Sequence, residues 1–381
     1  MCTRERYRIE SRVHMDIRNP TKPKVSFIDG RAGVEDYLKH PEYWRVDRTP
    51  CGLCLECRLQ YAKEWATRCM KEARYYESNI MVTLTYNDEN LPKSQGIDPE
   101  TGEVFESSTL VKKDVQDFMK RVIDYWGRHY NHKYEDHEVK PGEDYDKYSK
   151  KLNKYFKIDN PGIRRFYCGE YGSDDEYIDS HGNQRKATER PHYHLILFNI
   201  PVPDMVFDRW KYCEWNPNIK NAIYKSKVLT KLWGKGHVDL NEVNYDTCCY
   251  VARYVTKKQK GKQASDEHYT QKGRIAPYVD MSRSPGIGWQ YFKDNKEKFF
   301  EEKPIWSVTK KGMKKVKSRY FDKLMEKEDP DRFENIKKER RVKSEKMWDS
   351  ILDKTDIHKW EYIENQESKV EVKNRLLKIR K

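Results

Sequence analysis

Two histidines separated by a single residue are the most chemically informative feature of the sequence. His192 and His194 flank Tyr193 and precede the apolar run Leu195–Phe198, which is typical of a β-strand. Because side chains at i and i+2 of a strand project from the same face, both imidazoles can reach one metal ion while Tyr193 points the opposite way. A lone His-x-His is more often structural than catalytic, so the residues around it decide between these interpretations.

Glu170 is the candidate for a third metal ligand. It lies near the end of the predicted strand Ile163–Tyr171, and antiparallel pairing with the histidine strand would bring its carboxylate beside His192 and His194. Two imidazoles and one carboxylate leave coordination positions open, as a catalytic divalent ion requires, and a mixed nitrogen and oxygen site suits Mg²⁺ or Mn²⁺. The alternative is a charge at the end of a hairpin.

Two tyrosines on one predicted helix supply a nucleophile. Tyr250 and Tyr254 have the i, i+4 spacing of residues on one helix face within Thr247–Lys258, and Lys257 lies close to one turn beyond Tyr254. A phenol that attacks phosphorus gives a covalent phosphotyrosine, and a lysine on the same face can stabilise phosphate charge. The alternative is a stripe of Tyr and Val packed on a sheet, but the histidine strand favours the catalytic interpretation.

The elements that would position these side chains follow from hydrophobic periodicity. The sequence predicts helices at Cys54–Tyr76, Leu110–Trp126 with Thr109 as N-cap, 221–233 and Thr247–Lys258. It predicts strands at Ile80–Tyr86, Ile163–Tyr171, 191–199 and His237–Leu240. This order matches a split βαβ, ferredoxin-like antiparallel sheet with helices packed on one face, which is an α+β architecture.

Composition distinguishes three parts of the chain. Residues 1–50 are predicted to form an N-terminal arm with one short strand near Val25–Phe27, residues 51–260 the domain with the candidate site, and residues 261–381 a basic, mostly helical region. Polar stretches predict insertions or loops near residues 93–108, 128–160, 172–190 and 259–290.

The sequence carries a large basic surplus. Its formal net charge is +14, hydrophobic and charged residues each make up 36% of it, and residues 259–381 hold 32 Lys and Arg against 22 Asp and Glu. Such a surplus favours polyanions, and the 27 Tyr, 12 Phe and 10 Trp offer stacking surfaces for unpaired bases. Nucleic acid is therefore the expected partner, held with salt-dependent affinity by the basic C-terminal region. The alternative is a soluble protein with a solvated basic face.

Other classes of protein are excluded by missing patterns. No apolar run reaches the roughly 18 residues that a membrane span needs, and residues 1–6 show no signal-peptide core, so we expect a cytoplasmic protein without a membrane partner. The sequence contains no Gly-x-x-x-x-Gly-Lys-Ser/Thr motif, which argues against an intrinsic P-loop ATPase.

The nine cysteines favour reduced thiols or metal ligands over disulfides, because an export signal is missing. Cys51, Cys54 and Cys57 repeat every third residue, a spacing compatible with a structural Zn²⁺. The same spacing occurs in iron–sulfur proteins, but the fourth cysteine and the proline of that pattern are missing. The default interpretation is three reduced cysteines at the start of a helix.

Taken together, these motifs resemble a known superfamily. The segments similar to the three motifs of HUH endonucleases are Val82–Tyr86, Arg190–Phe198 and Tyr250–Lys258. Within that superfamily the chain resembles the replication initiation proteins of microviruses, the small single-stranded DNA phages, and in particular the gokushovirus branch. Cys51–Arg58 and Ser282–Gly288 also resemble sequence typical of that branch, and the resemblance covers residues 50–290.

The resemblance implies a replication initiator that nicks double-stranded phage DNA at the origin, in the cytoplasm of a bacterial host. One tyrosine joins to the 5′ phosphate, the freed 3′ hydroxyl primes rolling-circle synthesis, and the second tyrosine allows a completed single-stranded circle to be rejoined and released. His192 and His194 would be metal ligands and Tyr250 and Tyr254 the nucleophiles. A host helicase and polymerase are the expected protein partners.

Two alternatives remain open from the sequence. A tyrosine transposase or plasmid relaxase would share this chemistry. A non-catalytic nucleic-acid-binding or packaging protein would instead hold His192 and His194 in a structural metal site.

Overall fold

A seven-stranded antiparallel sheet is the largest feature of the computed structural model of this chain. The structure describes residues 6–16, 19–29, 32–52, 54–126, 162–172, 176–178, 184–186, 189–213, 216–257, 269–302, 306–309, 312–315, 318–355, 357, 361–362, 365–366, 368–369 and 372. The predicted insertion at 128–160 lies outside these described residues.

The strands and helices have the following bounds. The strands are β1 (Arg6–Asp16), β2 (Asn19–Asp29), β3 (Trp44–Thr49), β4 (Asn79–Tyr86), β5 (Lys93–Ile97), β6 (Val104–Ser108), β7 (Arg164–Tyr171), β8 (Glu176–Ile178), β9 (Gln184–Lys186), β10 (Pro191–Phe198), β11 (Val206–Cys213), β12 (Asn216–Lys225), β13 (Gly236–Glu242), β14 (Tyr278–Met281), β15 (Trp306–Thr309) and β16 (Gly312–Lys315). The helices are α1 (Glu35–Leu38), α2 (Leu55–Ala73), α3 (Lys112–Trp126), α4 (Lys227–Trp233), α5 (Tyr245–Lys257), α6 (Trp289–Asp294), α7 (Lys296–Phe300), α8 (Arg319–Glu328) and α9 (Pro330–Leu352), with a 3-10 turn at Ala32–Val34. Among the described helices, none is long and apolar enough to cross a membrane.

The large sheet has the strand order β11-β12-β13-β4-β10-β7-β14, and each neighbouring pair is antiparallel. Four predicted strands are present as β4, β7, β10 and β13, and three predicted helices as α2, α3 and α5. The predicted α+β class is confirmed. The histidine strand β10 lies between β4 and β7, so backbone hydrogen bonds on both sides fix its register.

Helices cover both faces of the large sheet. On one face, strand residues such as Leu84 and Leu195 share a buried apolar cluster with α3 and α4. On the opposite face, Met81, Phe166 and Ile196 share a second cluster with α2 and α5. The prediction that helices pack on one face is therefore wrong. Successive side chains of these strands are apolar on both faces, and each apolar face is buried by its own helical layer.

The predicted helix at 221–233 begins later than the periodicity indicated. Its first residues belong to β12, and α4 starts after Ser226, whose side chain accepts a hydrogen bond from a backbone N–H of the first turn. Gly234 ends the helix with a φ of 63°, a conformation that glycine adopts without steric cost.

The predicted N-cap of α3 is also wrong. Thr109 does not cap the helix, because its hydroxyl oxygen accepts the backbone N–H of Ile275 at 3.0 Å. Helix α3 instead begins at Lys112. A partner distant in sequence has displaced the local capping interaction that the sequence pattern suggested.

Three segments predicted as loops or insertions contain strands. The segment 93–108 forms the hairpin β5–β6, whose turn is closed by Asp98 Oδ1 accepting the backbone N–H groups of Glu100 and Thr101. Strands β8 and β9 form a hairpin within 172–190, and β14, within 259–290, pairs with β7 at the edge of the large sheet. These strands are short and mostly polar, so hydrophobic periodicity does not reveal them.

Residues 1–50 contain more structure than the predicted arm. Strand β1 pairs antiparallel with both β2 and β3, which gives a three-stranded sheet in the order β2-β1-β3. The short strand predicted near Val25–Phe27 lies within β2. Exposed apolar side chains such as Val13 and Phe27 interrupt the alternation expected of a half-buried strand.

The chain divides into two units. One comprises residues 1–61 together with 334–381, and the other comprises residues 62–333. The second unit contains the large sheet with both of its buried clusters. The C-terminal region is largely helical, as predicted, in α6 to α9, but it also contributes β14 and the hairpin β15–β16.

Candidate active site

Glu170, His192 and His194 form a cluster on the sheet face that also carries α5. Strand pairing places His192 opposite Glu170. One carboxylate oxygen, Glu170 Oε1, lies 2.7 Å from His192 Nε2 and 3.1 Å from His194 Nε2. Glu170 and His194 are buried, whereas the His192 side chain is 18% exposed. The predicted juxtaposition of these three side chains is thus present, and the cluster opens to solvent at His192.

The hydrogen bonds around the two rings fit a metal ion. His192 Nδ1 lies 3.0 Å from the carbonyl oxygen of Arg190, which only accepts, so Nδ1 carries the proton. In the neutral ring, Nε2 is then an acceptor that faces the acceptor Glu170 Oε1, and this contact requires a proton or a cation. Ligand atoms at about 2.1 Å from one octahedral ion lie about 3.0 Å apart, which is close to both separations from Glu170.

Burial and charge shift the pKa values within this cluster. Burial opposes ionisation of Glu170, but hydrogen bonds from His192 and His194 outweigh it, so the pKa of Glu170 is lowered from its ordinary value. Burial also lowers the pKa of His194, more than the neighbouring carboxylate raises it. An ionised carboxylate beside a neutral imidazole is the state that binds a divalent cation.

Thr83 on β4 orients His194 from the neighbouring strand. The two residues are register partners, and Thr83 Oγ1 lies 3.0 Å from His194 Nδ1. A contact at Nδ1 leaves Nε2 directed toward Glu170. Sequence analysis placed Thr83 within a motif but did not identify this contact, because it depends on the register between two strands distant in sequence.

Tyr193 points to the opposite face of the sheet, as predicted. It is fully buried, its hydroxyl accepts the backbone N–H of Val111 at 2.8 Å, and it lies 3.0 Å from the hydroxyl of Tyr86. Tyr193 thereby holds the start of α3 against the strand that carries both histidines. It is a structural anchor for the site that sequence analysis missed.

Tyr250 lies against the histidine cluster. Its ring contacts the His194 ring edge-on, with centroids 5.0 Å apart and planes at 77°. The residue is 39% exposed, so solvent and a polymeric substrate can reach it. Its neighbours Val251 and Ala252 are fully buried against the sheet, which fixes the face of α5 that Tyr250 occupies.

Tyr254 and Lys257 lie further along the same helix. Tyr254 follows Tyr250 by four residues and Lys257 is the last residue of α5, so the predicted helix is present. The side chains of both residues lie outside the part of the chain that the structure describes. Their predicted roles therefore depend on helical spacing.

Comparison with known proteins gives a consistent result. The profile of a family described as "Replication-associated protein ORF2" matches residues 130–259. Replication-associated protein ORF2 of Spiroplasma virus 4 is 31% identical over 317 residues, which cover 81% of this chain and 78% of that protein. Replication-associated protein VP4 of Bdellovibrio phage phiMH2K is 25% identical, with 78% of this chain and 74% of that protein covered.

A third relative, replication-associated protein ORF4 of Chlamydia phage 1, is 25% identical over 279 residues, which cover 73% of this chain and 53% of that protein. No solved structure matches the chain. The matches to full-length relatives extend well beyond the candidate site into the flanking regions. The chain therefore belongs to the family of replication-associated proteins found in microviruses.

Proposed function

We propose that this protein initiates rolling-circle DNA replication by nicking an origin and holding the cleaved 5′ end as a phosphotyrosine. The observation that carries the proposal is the contact between Tyr250, a nucleophile exposed to solvent, and His194, one of three clustered metal-binding side chains. Membership of the replication-associated family supplies the biological context. The antiparallel sheet with a central histidine strand supports assignment to the HUH endonuclease fold.

The cluster provides the donor set for one divalent cation. Glu170, His192 and His194 would hold Mg²⁺ or Mn²⁺, which supplies Lewis-acid polarisation of a phosphodiester. The protein fixes the three ligands before DNA arrives, because strand register and hydrogen bonds at both Nδ1 atoms orient the rings. DNA approaches from the exposed side of His192 and Tyr250.

The chemical step exchanges one phosphodiester for another. Tyr250 Oη attacks phosphorus and loses its proton to solvent, while the bond from phosphorus to the 3′ oxygen breaks and that oxygen gains a proton. The freed 3′ hydroxyl primes synthesis. Attack by a 3′ hydroxyl on the phosphotyrosine reverses the step and restores the tyrosine. Tyr254 is the second nucleophile of the proposed cycle, and Lys257 stabilises phosphate charge on the same helix.

Strand separation and synthesis need other proteins. The sequence has no P-loop phosphate motif, so we assign unwinding to a host helicase and extension to a host polymerase. This assignment places the protein at double-stranded and single-stranded phage DNA in the host cytoplasm.

The direct test is formation of a covalent protein–DNA adduct. Purified full-length protein is incubated with single-stranded oligonucleotides from candidate origins and Mn²⁺ or Mg²⁺, and adducts are resolved under denaturing conditions. We expect a metal-dependent adduct that the Tyr250→Phe/Tyr254→Phe variant does not form. Tyr245→Phe is a matched control on the same helix, because the Tyr245 ring packs against the apolar cluster beneath α5.

Two outcomes would contradict the proposal. An adduct that persists in the double variant would place the nucleophile elsewhere. Absence of any adduct across the phage's origin-spanning sequences and both metals, with DNA binding intact, would favour a non-catalytic binding or packaging protein. Nicking of double-stranded origin DNA then separates a replication initiator from a tyrosine transposase or relaxase.

A further inference from the structure

Three cysteines converge where β3 leads into α2. Cys51 follows β3, Cys54 precedes the first residue of α2, and Cys57 lies in the first turn of that helix. Their sulfur atoms all lie within 4.8 Å of one another. Cys51 and Cys54 are each 6% exposed, and Cys57 is half-buried. The three thiols thus form a largely buried cluster within the unit made of residues 1–61 and 334–381.

The backbone between the first two cysteines is shaped for a charged sulfur. Gly52 has a φ of +74°, which turns the chain back sharply. The backbone N–H of Cys54 then donates a hydrogen bond to Cys51 Sγ at 3.3 Å. A donor directed at sulfur stabilises the thiolate relative to the thiol, and the thiolate is the form that binds metals.

The position at a helix start acts in the same direction. Helix α2 has 19 residues, and the positive end of its dipole lies at Cys54 and Cys57. The sulfur separations also suit a shared ion. Sulfurs bound at about 2.3 Å to a tetrahedral Zn²⁺ lie about 3.8 Å apart, so side-chain adjustments of about 1 Å would complete the geometry.

We propose that Cys51, Cys54 and Cys57 bind one structural Zn²⁺ as thiolates and thereby fasten the end of β3 to the start of α2. Soft thiolate donors select zinc over the hard ions suited to the Glu170 cluster, so the two sites take different metals. Binding releases the thiol protons to solvent. Among the described residues, no further His, Cys, Asp or Glu joins the trio, which assigns the fourth position to water or to a ligand outside that part of the chain.

This proposal is independent of the nicking activity and is tested by metal content. Full-length protein is purified without added metal, and bound zinc is measured by mass spectrometry. We expect one zinc per chain in the wild type and in the His192→Ala/His194→Ala variant, which lacks the other cluster. We expect background zinc in Cys51→Ser/Cys57→Ser. Cys249→Ser is the matched control and should keep its zinc, because Cys249 lies on α5, outside the trio.

Cobalt substitution keeps the test decisive if the cysteine variants fail to fold. Wild-type protein loaded with Co²⁺ should show thiolate-to-cobalt charge-transfer absorption, as should the histidine variant. The proposal is overturned if the wild type purifies without zinc and shows no such band. It is also overturned if zinc is lost with the histidines but kept without the cysteines, if iron and acid-labile sulfide replace zinc, or if two of the three cysteines form a disulfide.

Discussion

At the scale of single residues, the candidate site depends on which nitrogen of each imidazole remains for a ligand. Arg190 engages His192 at Nδ1 through its carbonyl oxygen, and Thr83 engages His194 at the same atom. Both Nε2 atoms therefore converge on Glu170. The spacing of the two histidines was visible in the sequence, but these contacts depend on tertiary structure.

Glu170→Gln tests whether this carboxylate is a metal ligand or a charge at a hairpin end. Gln keeps the shape of the side chain but removes the negative charge that would attract the cation. We expect the metal concentration for half-maximal adduct formation to rise by about tenfold or more. Glu189→Gln is the control, because Glu189 is partly exposed and pairs with Arg274. Unchanged metal dependence in Glu170→Gln would support the hairpin-end role.

Thr83→Val tests the orientation of His194. Val has the shape of Thr without the hydroxyl that contacts His194 Nδ1 at 3.0 Å. We expect weaker metal binding by about tenfold, with the fold retained, measured by Mn²⁺ titration. Thr85→Val on the same strand is the matched control, because the Thr85 hydroxyl is directed at the carbonyl of His237. Equal loss in both variants would assign the effect to the strand and not to Thr83.

At the scale of secondary structure, the long apolar segments were predictable and the layering was not. β4, β7, β10, α2, α3 and α5 have strong periodicity, and each forms close to its predicted bounds. The run Leu195–Phe198 is apolar at every position, which is typical of a strand buried on both faces. Interpreting it as a one-sided strand led to the incorrect single helical layer. Polar strands such as β14 form because a neighbouring strand pairs with them, which a local pattern does not contain.

The segment Ser282–Gly288 is joined to the sheet by a buried ion pair. Arg164 on β7 pairs with Glu72 on α2, and both are nearly inaccessible to solvent. Arg164 also donates to the carbonyl of Pro285 at 2.7 Å, while Glu72 accepts the backbone N–H of Gly288 at 2.6 Å. This motif of the sequence therefore contributes to stability within the unit of residues 62–333.

Arg164→Gln should lower the free energy of unfolding by about 3–5 kcal/mol, because the Glu72 carboxylate stays buried without its cation. Arg283→Gln is the matched control from the same segment, since its side chain is 77% exposed, and it should change stability by less than about 0.5 kcal/mol. Urea unfolding of both variants provides the measurement. Similar values for the two variants would contradict a stabilising role for the buried pair.

Lys71 on α2 gives this unit a pH dependence. It is 6% exposed, and its ammonium donates to the carbonyl of Trp306 at 2.7 Å. Burial, aided by the charge of Arg74, lowers the pKa of Lys71 from 10.5 to about 8. Between these values the folded chain holds fewer protons than the unfolded chain, so the contribution of Lys71 to stability increases as pH rises.

Lys71→Met should remove that contribution. Between pH 7.5 and 9, we expect wild-type stability to rise by about 1 kcal/mol relative to the variant. Urea unfolding at both pH values measures the difference. A constant gap between wild type and variant would show that Lys71 titrates at its ordinary pKa.

At the scale of the whole molecule, charge and descent lead to the same class of partner. The chain carries a formal net charge of +14 and belongs to a family of phage replication-associated proteins. Its basic surplus is concentrated in residues 259–381. Deleting residues 291–381 would be a poor test of that region, because Phe292 and Phe321 are buried side chains of α6 and α8.

Surface substitutions can test the basic region without removing a core. Tyr250→Phe/Tyr254→Phe protein, which should not trap DNA covalently, is titrated against a labelled single-stranded oligonucleotide at increasing salt. We expect Kd to rise by about 100-fold between 50 and 200 mM salt, the loss expected for about five phosphate contacts. Lys338 and Lys346 are exposed on α9, and Lys338→Gln/Lys346→Gln should reduce the log–log slope by about one. Lys113→Gln/Lys120→Gln removes two exposed lysines of α3 as a matched control. An unchanged slope in the α9 variant would assign the phosphate contacts to other basic surfaces, since counterion release follows the residues that touch the backbone and not the net charge.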